Sequence, residues 1–80
     1  IEISNNPLLL NLNGLNNLKS VQDFKINYNP SLQNLVGLSS LKTVKELNIY
    51  ENQSLQTLDG LDSLNTVEDF YIRKNNSRFI

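Results

Sequence analysis

The apolar positions of this chain fall into columns that recur every 23 residues. Ile1, Phe24, Leu47 and Phe70 form one column, and Ile3, Ile26, Ile49 and Ile72 form another two residues on. Apolar–polar–apolar alternation predicts a short half-buried strand in each copy. Beyond it the apolar positions step by threes: Leu9, Leu32 and Leu55; Leu12, Leu35 and Leu58; Leu15, Leu38 and Leu61; Leu18, Leu41 and Leu64; Val21, Val44 and Val67. A step of three suits tight 3₁₀-like turns or extended segments better than a regular α-helix. Each coil is therefore expected to have one strand side and one turn-rich side.

The copies span residues 1–23, 24–46 and 47–69, and a fourth begins at 70–80, with no insertion between them. A fixed period of this kind predicts a solenoid. One copy cannot bury its own apolar face and becomes stable only by stacking on its neighbours. Equivalent strands of successive coils should lie side by side as a parallel sheet, ~4.8 Å apart. Residues 1–80 read as one solenoid segment of about 3.5 repeats. The final Phe79 or Ile80 is expected to fold back over the apolar end of the third coil, as solenoid caps do.

Two non-apolar columns carry structural predictions. Gly14, Gly37 and Gly60 sit between Leu columns, where a corner with positive φ is expected. Asn6, Asn29, Asn52 and Asn75 lie three residues past the second strand column. They predict a buried ladder of amides that satisfies backbone groups freed at the bend. Pro7 and Pro30 follow that column, where no sheet N–H is needed.

Together the columns spell L-x-x-V-x-x-Φ-x-I-x-x-N, as in Leu41, Val44, Leu47, Ile49 and Asn52. In these residues the chain resembles the leucine-rich repeat family, and most nearly its 23-residue, receptor L-domain-like repeats. Similar repeats occur in bacterial surface proteins, notably of Bacteroidota, and in fungal cell-wall proteins. The resemblance implies a curved leucine-rich-repeat solenoid with its parallel β-sheet on the concave side. It also implies short 3₁₀ or irregular turns on the convex side, and binding most often on the concave side. Asp23, Glu46 and Asp69 stand where family members often have Gly.

The outward strand positions are the candidate site. Their columns are Glu2, Lys25, Asn48 and Tyr71; Ser4, Asn27, Tyr50 and Arg73; then Asn5, Tyr28, Glu51 and Lys74. All three Tyr of the chain fall here and none in a core column. Tyr and Arg are enriched at interface hot spots. The structural alternative, given equal weight, is that Tyr favours strands and packs across them. The candidate partner-binding residues are Lys25, Asn27, Tyr28, Asn48, Tyr50, Glu51, Tyr71, Arg73 and Lys74. Tyr50, central among them, is expected to be exposed and to contribute little to the fold.

Other constellations are weaker. Asp23, Glu46 and Asp69 form an acidic column, but Ca²⁺ takes six to eight oxygens, and a solvated, mildly repulsive column is the stronger reading. The sequons at Asn52 and Asn75 use ladder residues, so a glycan there would remove a structural amide. No His or Cys is present to act as base or nucleophile, and Asp59 and Asp62 lie among polar turn residues. Neither an enzyme nor a cofactor or metal site is expected.

Composition narrows the partner. Eighty residues make at most one small domain, marginal by surface-to-volume scaling. A net charge of −1 gives no case for nucleic acid or an anionic membrane. No apolar run approaches the roughly 18 residues of a membrane helix, so no direct membrane insertion is expected. With Ile at position 1 and no visible signal peptide, the chain is expected to be a fragment of a longer protein. Fourteen Asn and no Ala suggest an AT-rich genome, and the lack of Cys disfavours a disulfide-rich animal ectodomain.

The expected function is a protein-binding module of a secreted or cell-surface protein, on a bacterial outer surface by preference. A glycan is the less favoured partner. The alternative is a structural, accessory element that docks on a larger complex through its ends or convex side. A sheet of four strands and five residues each offers a footprint of roughly 240 Å². A standard interface uses ~800 Å² per partner, so the segment is expected to supply only part of a site or to be extended by further repeats.

Overall fold

A computed structural model, which describes residues 1–76, shows a parallel β-solenoid wound in 23-residue turns. Its strands are β1 (Glu2–Ser4), β2 (Ser20–Asn27), β3 (Thr43–Tyr50) and β4 (Thr66–Arg73). They form one four-stranded sheet in the order β1-β2-β3-β4. All three pairings are parallel, and each residue faces its counterpart in the next copy: Ile3 with Ile26, Ile26 with Ile49, Ile49 with Ile72. The sequence period is thus the sheet register. Helical structure among the described residues is confined to one 3₁₀ turn, Val36–Leu38.

The strands are longer than the two-column alternation predicts. Eight residues form each of β2, β3 and β4, and the Val column lies inside them. The ladder pairs Val21 with Val44 and then Asp23 with Glu46, passing over Gln22 and Lys45. A regular strand alternates faces every residue, so a step of three puts Val44 and Leu47 on opposite sides. An irregularity between them lets both turn inward, and both are fully buried.

The core is the stacked Leu, Ile, Phe and Val columns of the two middle coils. Phe24, Ile26, Leu32, Leu35, Leu38, Leu41, Val44, Leu47, Ile49 and Leu55 are all 0 % exposed. Their counterparts nearer the ends of the solenoid, such as Ile3, Leu9, Leu15, Leu61 and Ile72, are only partly buried against this core. Stacking from one side covers one side.

The Gly column answers to two demands, not one. Gly14 and Gly60 have φ of 111° and 112° as expected, but Gly37 lies in the 3₁₀ turn and has no positive φ. What Gly37 and Gly60 share is close approach. A Cβ on either would overlap the backbone carbonyl of Leu12 or Leu35 in the preceding coil. Gly14 has nothing within 4 Å of that position. The expectation of a positive φ throughout the column is therefore corrected at Gly37.

The Asn ladder forms. The Nδ2 of Asn29, Asn52 and Asn75 donates to the carbonyls of Ile3, Ile26 and Ile49 at 2.9, 2.9 and 3.1 Å. The Oδ1 of Asn52 accepts from the backbone N–H of Asn29 at 3.1 Å and from its Nδ2 at 3.2 Å. Asn29 and Asn52 are completely buried. The residue before each ladder Asn is left-handed: Asn5, Tyr28, Glu51 and Lys74 have φ of 60°, 57°, 59° and 55°. This conformation costs an L-residue roughly 1–2 kcal/mol. It recurs in every coil because it turns the chain off the sheet and sends the amide inward. The cap expected of Phe79 and Ile80 lies outside the described residues.

Candidate partner-binding face

Parallel register assembles the site from residues 23 apart. Lys25, Asn48 and Tyr71 stand abreast on β2, β3 and β4, and Asn27, Tyr50 and Arg73 stand abreast two residues later. Tyr28, Glu51 and Lys74 occupy the left-handed bend just beyond. Side chains on a parallel face repeat at strand spacing, so columns remote in sequence become one surface.

The outward side chains are not equally free. Tyr28 and Tyr71 are 46 % and 51 % exposed. Tyr50 is half-buried, in contrast to the exposed residue expected. Its ring meets the Tyr28 ring edge-on, with centroids 5.4 Å apart and planes at 89°. The Arg73 guanidinium lies over the Tyr50 ring at 4.8 Å from its centroid, and Lys74 Nζ lies at 5.8 Å. Edge-to-face aromatic pairs contribute ~0.5–1.5 kcal/mol and cation–π pairs ~0.5–1 kcal/mol when exposed. Tyr50 therefore supports the fold as well as the surface.

A shallow hollow of about 260 Å³ opens on this face, lined by Lys25, Asn27, Glu46, Asn48, Tyr50, Tyr71 and Arg73. Glu46 enters it without having been a candidate, because its column reads as a solvated edge. Its Oε2 accepts from Asn48 Nδ2 at 2.9 Å. Glu51 lies to the side, where its Oε2 accepts from Gln53 Nε2 at 2.9 Å. The Oδ1 of Asn27 is buried and has no hydrogen-bond donor among the described residues. Arg73, Lys74 and Lys25 form no ion pair with a described carboxylate.

Tyr28 is pushed above its ordinary value of 10.0, chiefly by the neighbouring Tyr50 phenol. Partial desolvation and the Glu51 charge act in the same direction, and Arg73 opposes them.

The acidic column is in register, Asp23 beside Glu46 beside Asp69. Among the described residues no three acidic side chains converge closely enough to hold a metal ion. No helix among them is long and apolar enough to cross a membrane. Comparison with family models, with curated proteins and with solved structures gave no match to this chain.

Proposed function

We propose that the chain is a recognition module of a leucine-rich-repeat protein, and that the sheet face is concave and binds a protein partner. The observation that carries this reading is the gathering of Tyr28, Tyr50, Tyr71, Arg73 and Lys74 onto one side of β2–β4. Tyr and Arg dominate interface hot spots because they bury large areas at low entropic cost. The 23-residue coil, parallel sheet and Asn ladder support the family assignment. The face belongs to a secreted or surface-exposed protein, by the same resemblance, and has no catalytic role. Three eight-residue strands beside the three-residue β1 give a footprint of about 300 Å². It remains below the ~800 Å² of a standard interface, so this face supplies part of a site.

A docking-element reading has one specific observation in its favour. The outer side of the first coil exposes Ile1, Leu8 and Leu10 at 54 %, 88 % and 54 %. It holds a hollow of about 450 Å³ lined in part by Ile3, Leu9, Leu12 and Leu15.

A photo-crosslinking amino acid placed at Tyr71, at Leu8 or at Ser39 separates the two readings. The Tyr71 probe should capture a partner that the Ser39 probe does not. Tyr71→Ala should then weaken that partner about thirtyfold, the scale of a hot-spot loss of ~2 kcal/mol. Capture from Leu8 alone, with Tyr71→Ala binding normally, transfers the function to the coil end.

A further inference from the structure

We propose that the Arg73–Lys74 pair over Tyr50 is a receptor for the carboxylates of an acidic polypeptide segment. This rests on the sheet-face reading and names the partner's chemistry. The guanidinium of Arg73 is held 4.8 Å above the Tyr50 ring. A guanidinium held over a ring is partly ordered before any ligand arrives, and its planar fork keeps N–H groups with which to meet a carboxylate in pairs. Lys74 Nζ stands over the same ring at 5.8 Å and adds a second positive charge. Lys25 lines the hollow with Arg73. None of these cations is neutralised by a described carboxylate.

The two acidic groups nearby are already engaged by neutral amides. Glu46 is bound by Asn48, and Glu51 by Gln53. Those bonds hold the carboxylates in place without spending a cation on them. Asp23, Glu46 and Asp69 stand nearer the start of the strands, whereas Arg73 and Lys74 stand at and just past the end of β4. Along β4 the charge therefore changes sign, from Glu68 and Asp69 to Arg73 and Lys74, while Glu51 keeps one negative charge just past the end of β3. An acidic segment is drawn to the end of β4 and repelled from its start, which orients it.

At Tyr50 the same geometry argues against a sugar platform. A sugar ring stacks on an open aromatic face, and Tyr50 has Arg73 over its ring and Tyr28 against it.

The test is a ¹⁵N NMR titration of the whole 80-residue chain with hexaglutamate, hexalysine or a trigalacturonate. Hexaglutamate should shift the amides of Tyr50, Arg73 and Lys74, and hexalysine should not. The shifts should weaken steeply with salt, as exposed charge pairs do. Arg73→Gln with Lys74→Gln should weaken binding about tenfold or more, since both charge-assisted bonds are lost. Arg73→Lys should weaken it several-fold, because the charge stays and the planar fork goes. Asp23→Asn should not weaken it. An unchanged pattern of dispersed amides in each variant excludes unfolding as the cause. No response at Tyr50, Arg73 and Lys74, or equal binding by the double variant, overturns the proposal. Arg73→Lys binding as wild type overturns the bidentate receptor, and tighter binding of trigalacturonate overturns the polypeptide. The broader sheet-face reading is judged separately by the Tyr71 crosslink. It stands if hexaglutamate fails and the crosslink succeeds.

Discussion

Asn52→Ala should be the most damaging change in the polar ladder. The side chain spans three coils. Its Nδ2 donates to the Ile26 carbonyl at 2.9 Å and to Asn75 Oδ1 at 3.0 Å. Its Oδ1 accepts from the Asn29 backbone N–H at 3.1 Å. Alanine leaves the Ile26 carbonyl and the Asn29 N–H buried without partners, at about 1–3 kcal/mol for each stranded group. Water cannot repair the loss readily, because Asn29 and Asn52 are both 0 % exposed. The expected cost is about 2–5 kcal/mol, from the two stranded groups together. For a domain of this size 1 kcal/mol shifts Tm by roughly 4–8 °C, so the variant should melt at least ~10 °C lower.

Asn6→Ala is the internal control. Asn6 is exposed and donates to Ser4 O and Asn29 Oδ1 at the outer coil, where water replaces it. Asn52→Asp should cost at least as much as alanine. Its second oxygen would face the Ile26 carbonyl and Asn75 Oδ1, acceptor against acceptor. Urea unfolding followed by circular dichroism reads all three. Equal costs for Asn6→Ala and Asn52→Ala, or an unchanged midpoint for Asn52→Ala, would refute the ladder as a load of buried hydrogen bonds.

Three further outcomes follow from the bends, the close contacts and the tyrosine pair. Glu51→Gly should stabilise the chain by up to about 1 kcal/mol in urea unfolding, because φ of 59° costs Glu what it does not cost Gly; a loss would show that the Glu51 carboxylate matters more than its backbone. Gly60→Ala should cost clearly more than Gly14→Ala. The two share a positive φ, but only Gly60 packs against the Leu35 carbonyl, so equal midpoints would refute the close approach. The Tyr28 phenol should titrate above 10.0 by ¹³C NMR, and Tyr50→Phe should bring it back down. The raised value means that the fold favours the neutral phenol. Its contribution is present below pH 10 and is lost as pH rises through the folded value.

Most of the backbone architecture was legible in the columns. A 23-residue period with no insertion forces residue i to stack on residue i + 23, and the observed register is that pairing. The Asn column was legible because a polar residue recurring between apolar columns must be satisfied by something equally periodic. The length of the strands was not, because a step of three reads as a turn until the irregularity at Gln22 and Lys45 is seen.

The candidate face was legible as a list of residues, not as an arrangement. Tyr28, Tyr50, Arg73 and Lys74 could be assigned to outward columns from spacing alone. That Tyr50 is half-buried beneath a guanidinium depends on rotamers and on the left-handed bend at Tyr28 and Lys74. No residue type signals that bend, since Asn, Tyr, Glu and Lys all occupy it. Gly37 makes the same point from inside. Its column marked it as a corner, yet what excludes a side chain there is the Leu12 carbonyl of the coil before. Periodic burial is a one-dimensional property of the chain, because each coil repeats the same choice of apolar and polar positions. Bend conformation, close approach and ring stacking depend on the distances between coils, and those exist only once the coils have packed.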